Sequence, residues 1–197
     1  MKTSILLSVT LVSCASLLAA GGAVVKVTRI DFAVTRQDQD QGPSGLASQD
    51  VFTKTLYIAS DGRELTDVVD QRLGSHAMEI YDPSTKTTSI LDLNKKTVYT
   101  MQEGAFPGET NKGKDLGHKM IQGIDCHGFA NVSSAGSIEH WWCTDPSSGA
   151  SFPGSLTFRT PDGKQWGEIM QKVTPGVAVT NTFFDVSKDF LRVEFNP

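Results

Sequence analysis

The sequence contains few of the features that directly indicate a particular chemistry. Its 18 Lys and Arg residues are interspersed among 22 Asp and Glu residues, for a net charge of −4, and no basic patch is present that would attract nucleic acid or anionic lipid. The nucleophile elbow G-x-S-x-G, the zinc motif H-E-x-x-H, the Walker loop and the dinucleotide motif G-x-G-x-x-G are also missing. We therefore expect no nucleic-acid partner, no cofactor, no metal and no enzymatic activity.

Long hydrophobic runs are scarce, and the one that stands out lies at the N-terminus. A Met-Lys start is followed by an apolar run over residues 4–20 and by small residues at 21–23. This order is typical of a secretory signal peptide, and a run so short and so placed does not favour a permanent membrane span. We predict a signal peptide over residues 1–22 and a single mature domain over residues 23–197, secreted or periplasmic.

The leader leaves one alternative open. Residues 11–14, Leu-Val-Ser-Cys, resemble the bacterial lipobox, in which the cysteine is lipidated. The apolar run continues past Cys14 to residue 20, however, whereas a lipid anchor is usually followed by a polar tether. We favour ordinary cleavage near residues 21–23, with a protein that is lipid-anchored to the cell envelope through Cys14 as the alternative. Contact with a membrane is expected only through the leader or that anchor.

Helical periodicity is also scarce after the leader, and β-strand patterns take its place. The stretch over residues 24–36 alternates β-branched or aromatic residues with charged or small ones. Further strands are predicted at 51–60, 63–69, 76–82, 87–93, 97–102, 118–132 (one or two strands), 137–144, 155–160, 165–173, 181–186 and 189–195. Loops are predicted at 37–50, 103–116 and 145–154, and Asp61-Gly62 predicts a tight hairpin. About ten to twelve short strands at this spacing favour one mainly β, antiparallel domain: a barrel, a half-barrel or a sandwich.

Cysteine is nearly absent, with three residues in the chain. If Cys14 leaves with the leader, Cys126 and Cys143 remain, and an exported chain normally oxidises such a pair. A hairpin with its turn at Ser134-Ala135 places the two cysteines directly opposite each other on one face. We predict a disulfide between Cys126 and Cys143.

Two other chemistries fit this hairpin less well. Together with His127 and His140, the cysteines supply the residue types of a tetrahedral zinc site. In the same register, however, both histidines lie on the opposite face, His127 across from Trp142 and His140 across from Phe129, unless the register slips. Catalytic thiol chemistry is disfavoured because no C-x-x-C pair and no helix N-terminus accompany the cysteines.

Only three tryptophans are present, which makes the adjacent pair Trp141 and Trp142 conspicuous. Neighbouring residues of a strand point to opposite faces, so we expect one indole in the core and the other in a groove or at the surface. Trp141, Trp142 and Phe129 are therefore candidate ligand-lining residues, with core packing as the default. Asn131 begins an N-x-S sequon, which is a glycosylation site only in a eukaryotic secretory route.

One family resemblance covers most of residues 51–191. The segments LYIASDGRELTD, HAMEIYDPSTKTTSILDLNKKTVYTM, MIQGIDCHGFA, IEHWWCTD and FFDVSKDF are similar to those of secreted bacterial β-rich proteins of unknown function. That group distantly resembles the LolA-like fold of periplasmic lipoprotein carriers. The resemblance implies a curved antiparallel half-barrel whose concave face holds acyl chains, although lid helices are not evident in this sequence. It transfers no catalytic residues.

These observations predict an exported, non-enzymatic binding or carrier-type domain for an apolar or lipid-like ligand held on a curved sheet. The alternative is a structural or interaction protein of the cell envelope or extracellular space with no small ligand. A hydrolase-type enzyme is the least favoured option. A closed barrel or a sandwich remains the alternative fold, and the oligomeric state is left open.

Overall fold

The computed structural model describes residues 23–37, 52–71, 73–102, 113–145, 149 and 151–193. The predicted leader, including Cys14, lies outside the described residues. The described chain forms twelve strands: β1 (Val24–Gln37), β2 (Phe52–Ala59), β3 (Glu64–Asp70), β4 (Ser75–Asp82), β5 (Thr87–Asp92), β6 (Thr97–Gln102), β7 (Lys114–Ile121), β8 (Ile124–Ser133), β9 (Gly136–Thr144), β10 (Ser151–Arg159), β11 (Gln165–Thr180) and β12 (Leu191–Val193). A short 3₁₀ helix covers Asn181–Phe184.

All twelve strands belong to one curved sheet, in the order β12-β6-β5-β4-β3-β2-β1-β11-β10-β9-β8-β7. The ends of the sheet, β12 and β7, do not pair with each other, so the sheet is open. The predicted half-barrel is confirmed, and the alternatives of a closed barrel and a sandwich are not what the chain adopts. Pairing is antiparallel between the described strands except where β12 runs parallel to β6.

The two long strands β1 and β11 join the halves of the sheet. They pair along nearly their whole length, from Val24 opposite Thr180 to Gln37 opposite Gln165. The meander β2–β6 extends from β1, and the meander β10–β7 extends from β11. Two irregularities in β11 accommodate this long pairing, one at Pro175-Gly176 and one at Gln171. Such bulges locally bend and twist a strand.

Two of the predicted segments are wrong in the same way, because a Pro-Gly pair lies inside a strand. The loop predicted over 145–154 ends early, since β10 already begins at Ser151 and a register shift follows Pro153. Likewise β11 continues through Pro175-Gly176 instead of stopping at residue 173. Proline occurs within strands mainly at edges and bulges, and both pairs lie at bulges.

Two other predicted segments also differ from the structure. β7 begins at Lys114, inside the loop predicted over 103–116. The strand predicted over 181–186 is instead the 3₁₀ helix Asn181–Phe184. Burial explains that turn, because Phe184 is buried and its ring packs edge-on against Phe183, which in turn packs against Tyr57. No helix in the described part of the chain is long and apolar enough to cross a membrane.

The buried side chains form two clusters. The first joins strands of the central and β7–β10 regions and contains Ile30, Phe32, Leu56, Ile58, Ile121, Cys126, Trp141, Cys143, Phe152 and Met170. The second lies on the β2–β6 side and contains Val27, Ala59, Leu65, Ile80, Leu91, Val98 and Phe184. Phe183, Val186 and Phe190 from the segment after β11 pack against the second cluster. That segment therefore covers the β2–β6 half before it adds β12 to the edge.

Candidate functional site

The β8–β9 hairpin has the register that the sequence predicts. Its turn lies at Ser134-Ala135, and Cys126 is directly opposite Cys143. The two Cα atoms are 4.0 Å apart and the sulfurs are bonded to each other. The predicted disulfide is confirmed. Because both sulfurs are used in this bond, neither is available as a thiolate ligand, and no group of three or more metal-ligating side chains occurs among the described residues.

The disulfide is enclosed by the first buried cluster. Both cysteines are buried, with Phe152 and Trp141 among the side chains of the same cluster. Gly128 leaves space for the Trp141 ring, since a Cβ at Gly128 would lie 2.7 Å from two of its atoms. The covalent link therefore joins the two strands of the hairpin, and packing fixes the hairpin to the rest of the sheet.

The two adjacent tryptophans have different environments. Trp141 is 7% exposed, its Nε1 donates a hydrogen bond of 2.6 Å to the carboxylate of Glu139, and the ammonium of Lys119 lies 3.8 Å from its ring centroid. Burial lowers the pKa of Lys119. Trp142 is 44% exposed on the other face of β9. One indole is thus in the core and one at the surface, as adjacent positions in a strand require.

The exposed indole belongs to a broad apolar surface that we call the aromatic face. Strand pairing places Trp166 opposite Phe158, Phe158 opposite Ile138, Leu156 opposite His140, and His140 opposite Phe129. Directly opposed residues share a face. The aromatic face consists of Phe129, Ile138, His140, Trp142, Leu156, Phe158 and Trp166, and every one of these side chains is partly or largely exposed.

One close pair of rings lies within this face, and a second pair joins the face to the neighbouring His127. The centroids of Phe158 and Trp166 are 6.2 Å apart, and those of Phe129 and His127 are 4.4 Å apart. Such separations are typical of aromatic contacts in proteins. Strand pairing places the ring and aliphatic side chains of this face at adjoining positions of four neighbouring strands, β8 to β11.

Polar side chains border the aromatic face on two sides. Toward the β7 edge, His127 stacks on His118 with centroids 4.6 Å apart, and a carboxylate contacts each ring, Asp115 at 2.8 Å from His127 and Asp125 at 3.0 Å from His118. The backbone N–H of Gly117 and the ring of His127 both hold the pKa of Asp115 below its ordinary value. Toward β1, the other border is the ion pair of Lys54 and Glu168.

That ion pair is geometrically tight. The Lys54 ammonium lies 2.7 Å and 2.8 Å from the two carboxylate oxygens of Glu168, and 5.2 Å from the ring centroid of Phe32. Both charged side chains are largely buried. The pair therefore presents little net charge to a ligand on the neighbouring aromatic face.

A cleft lies elsewhere, beside β1 and β2, where Asp145 follows β9 and β10 begins at Ser151. Its volume is about 690 Å³, and its lining includes Val27, Thr28, Ile58, Glu64 and Asp145. The hydroxyl of Thr28 donates a hydrogen bond of 3.3 Å to the carboxylate of Asp145. Burial, followed by repulsion from Glu79, raises the pKa of Glu64 above its ordinary value.

Of the three residues predicted to line a ligand, two share one face of the sheet. Phe129 and Trp142 lie together on the aromatic face, whereas Trp141 lies behind them on the opposite side of the sheet. Leu156, Phe158 and Trp166 were missed, although the alternation on either side of the P-D-G-K turn indicates that Phe158 and Trp166 share a face. The meeting of Thr28 with Asp145 across 117 positions had no local sequence pattern.

No protein-family model matches the chain, and no curated protein matches it. Among solved structures, the chain is similar to a structure of PNGF-II, with a TM-score of 0.57 and 10% identity over 86% of this chain. The match covers 32% of the PNGF-II chain, so this chain spans about a third of that protein's length. At such identity the likeness shows the fold alone.

Two further solved structures match less well. One is an uncharacterized conserved protein from Thermus thermophilus, with a TM-score of 0.49 and 10% identity over 85% of this chain and 91% of that chain. The other is a LolA-superfamily protein from Nitrosomonas europaea, with a TM-score of 0.41 and 8% identity over 84% of this chain and 91% of that chain. A LolA-superfamily protein is thus among the solved structures to which the chain is similar. Likenesses this weak carry nothing about ligand or activity.

Proposed function

We propose that the protein is an exported, non-enzymatic binding module that holds an apolar or lipid-like ligand on the aromatic face. One observation carries the proposal: seven ring and aliphatic side chains of four adjacent strands share one face, and none of them is fully buried. A contiguous apolar surface bordered by polar residues marks a binding site in soluble proteins.

The composition of the face supports an apolar ligand. Trp142, Trp166, Phe129 and Phe158 provide large surfaces with few rotatable bonds, so little side-chain entropy is lost when a ligand is bound. The polar groups at both borders already have partners within the protein, His127 with Asp115 and Lys54 with Glu168. Binding is therefore expected to depend mainly on buried apolar area.

The structural setting supports a preformed site. β8 and β9 are linked by the disulfide, and β10 packs its Phe152 and Gly154 against that link. Strands held in this way lose little freedom when a ligand is bound. The disulfide also supports maturation in an oxidising compartment, as for a secreted or periplasmic protein. The alternative is a protein anchored to the cell envelope by a lipid on Cys14.

The aromatic face also fits the alternative of an envelope or extracellular interaction protein. It spans four strands, and a surface this broad suits a protein partner as well as a small ligand. Tryptophan is moreover enriched at the energetically dominant positions of protein interfaces. The experiment below distinguishes the two occupants.

The test has two parts. Protein purified from an exporting host is examined by native mass spectrometry and solvent extraction for bound lipid. Dansylated undecanoic acid is then titrated into the delipidated protein, with Trp142→Ser as the test variant. Leu191→Ser is the matched control, because it also removes an exposed apolar side chain from a strand, but on β12.

The proposal expects saturable probe binding that Trp142→Ser weakens about tenfold, or ~1.4 kcal/mol, and that Leu191→Ser leaves unchanged. Equal effects of the two variants, or no binding, would contradict the ligand role. An apo mass together with saturable association of a protein partner that Trp142→Ser abolishes would favour the interaction protein instead.

A further inference from the structure

The cleft beside β1, β2 and Asp145 is separate from the aromatic face and has a different character. Its floor contains the buried apolar residues Val27, Ile58 and Phe152, while Glu64 and Asp145 supply carboxylates. At about 690 Å³ it falls within the range of small-molecule sites, roughly 300–1,000 Å³. No residue of the aromatic face lines it.

Asp145 also borders a second, adjoining cleft. That cleft has a volume of about 460 Å³, shares Asp145 and Pro175 with the first, and includes the apolar residues Ile124 and Val173. The Asp145 carboxylate therefore lies where two spaces with apolar lining meet. A ligand that reaches Asp145 has apolar surface available on either side of it.

The negative charge in this cleft is better shielded from water than the positive charge. Asp145 is 6% exposed and accepts a hydrogen bond from Thr28, whereas Lys26, the lysine that lines the same cleft, is exposed. Burial also raises the pKa of Glu64. Coulomb interactions strengthen as water is excluded, and a carboxylate has lone pairs for several donors, so the Asp145 carboxylate can accept an ammonium in addition to its partners within the protein.

We propose that this cleft is a binding site for a small organic cation, a primary ammonium with an apolar substituent. The ammonium would donate hydrogen bonds to Asp145, and Glu64 would contribute a second negative charge. Hydrogen bonds between ionised groups are the strong ones in proteins. The apolar substituent would lie on Val27, Ile58 and Phe152. This assignment does not depend on a ligand at the aromatic face.

The test compares three probes with the same alkyl chain: octylammonium, octanol and octanoate. Each is titrated by calorimetry into the mature protein near neutral pH. The variants are Asp145→Asn and Glu64→Gln, and the matched control is Asp185→Asn, an exposed carboxylate outside the cleft. Thermal unfolding of each variant shows whether it is folded.

The proposal expects octylammonium to bind, octanoate to bind at least about tenfold more weakly, and Asp145→Asn to weaken octylammonium by about tenfold, or ~1.4 kcal/mol. Glu64→Gln is expected to weaken it by a smaller factor, and Asp185→Asn to leave it unchanged. Should Asp145→Asn fail to fold, the Glu64→Gln result and the probe series decide. Equal affinity for all three probes, no affinity for octylammonium, or unchanged affinity in Glu64→Gln would overturn the assignment.

Discussion

Gly154 lies so close to Cys143 that any side chain at this glycine would overlap with the cysteine sulfur. A Cβ atom there would also lie 3.1 Å from Cys126 Sγ and 3.3 Å from a methyl carbon of Ile121. The bulge after Pro153 brings the backbone to this position. The backbone of Gly154 does not have the left-handed conformation that favours glycine. Glycine is therefore required beside the disulfide because there is no space for a side chain.

Gly154→Ala should destabilise the fold by about 1–3 kcal/mol, the usual cost of overpacking a filled core. Urea unfolding followed by tryptophan fluorescence measures the change. Ser151→Ala is the control, because Ser151 is exposed in the same strand and should change stability by less than ~0.5 kcal/mol. If the two variants are equally stable, the disulfide has moved to make room for the added methyl group, and the prediction is wrong.

Reduction of the disulfide should lower the free energy of unfolding. The bond joins residues 17 positions apart, and closing a loop of that size contributes about 3 kcal/mol in the chain-entropy description. Unfolding of the wild-type chain with and without dithiothreitol measures this without creating a cavity. Cys126→Ala/Cys143→Ala serves as the second comparison, and it should not respond to the reductant. An unchanged midpoint for the reduced wild type would contradict the prediction.

The two tryptophans should differ sharply in their contribution to stability. Trp141→Ala removes a buried indole, together with its hydrogen bond to Glu139, and should cost about 3–5 kcal/mol. Trp142→Ala removes a half-exposed one and should cost about 1 kcal/mol or less. Chemical denaturation of both variants provides the measurement. The reverse order of stabilities would mean that the faces of β9 are assigned the wrong way round.

Glu64 should make the folded state less stable as the pH rises. Its pKa is raised by burial and then by Glu79, so between the ordinary pKa and the folded one the native state binds more protons than the unfolded chain does. Stability therefore falls with increasing pH in that window. Glu64→Gln removes this loss, and its stability relative to wild type should be greater at pH 7 than at pH 3.5.

Thermal unfolding at the two pH values measures this difference. Glu79→Gln should show the same trend more weakly, because it removes only the secondary cause of the shift. A relative stability of Glu64→Gln that does not change with pH would refute the prediction.

Local patterns were sufficient for much of the fold. The alternation over residues 24–36 and the Asp61-Gly62 turn correspond to β1 and to the β2–β3 hairpin. Ser134-Ala135 set the β8–β9 register, and with it the disulfide and the opposite orientations of Trp141 and Trp142. These features depend on residues near one another in sequence, so turn chemistry and side-chain alternation were enough to predict them.

The two larger errors in the predicted strands were at Pro153-Gly154 and Pro175-Gly176. Both pairs have the composition of a loop, but each lies in a strand that has one residue more at this point than the neighbouring strand has. That neighbour is distant in sequence for β11, which pairs with β1. A bulge is defined by two strands together, and a single-strand pattern cannot distinguish it from a turn.

The candidate sites divide in the same way. Phe129 and Trp142 were accessible because one hairpin contains both. Joining them to Leu156 and Trp166 required knowing that β9 pairs with β10 and β10 with β11. The cleft around Asp145 was beyond sequence reasoning, since its walls come from β1, β2, β3, β10 and β11.

By itself, the sequence determined the β content, most strand boundaries, the β8–β9 register and the cysteine pair, because these follow from period-two alternation and from turn residues. Only the tertiary structure decided that β1 pairs with β11, that the sheet stays open, and which apolar residues remain exposed. Those outcomes depend on contacts between distant segments. Their energies come from buried area shared by several strands, and no short stretch of the chain encodes that sum.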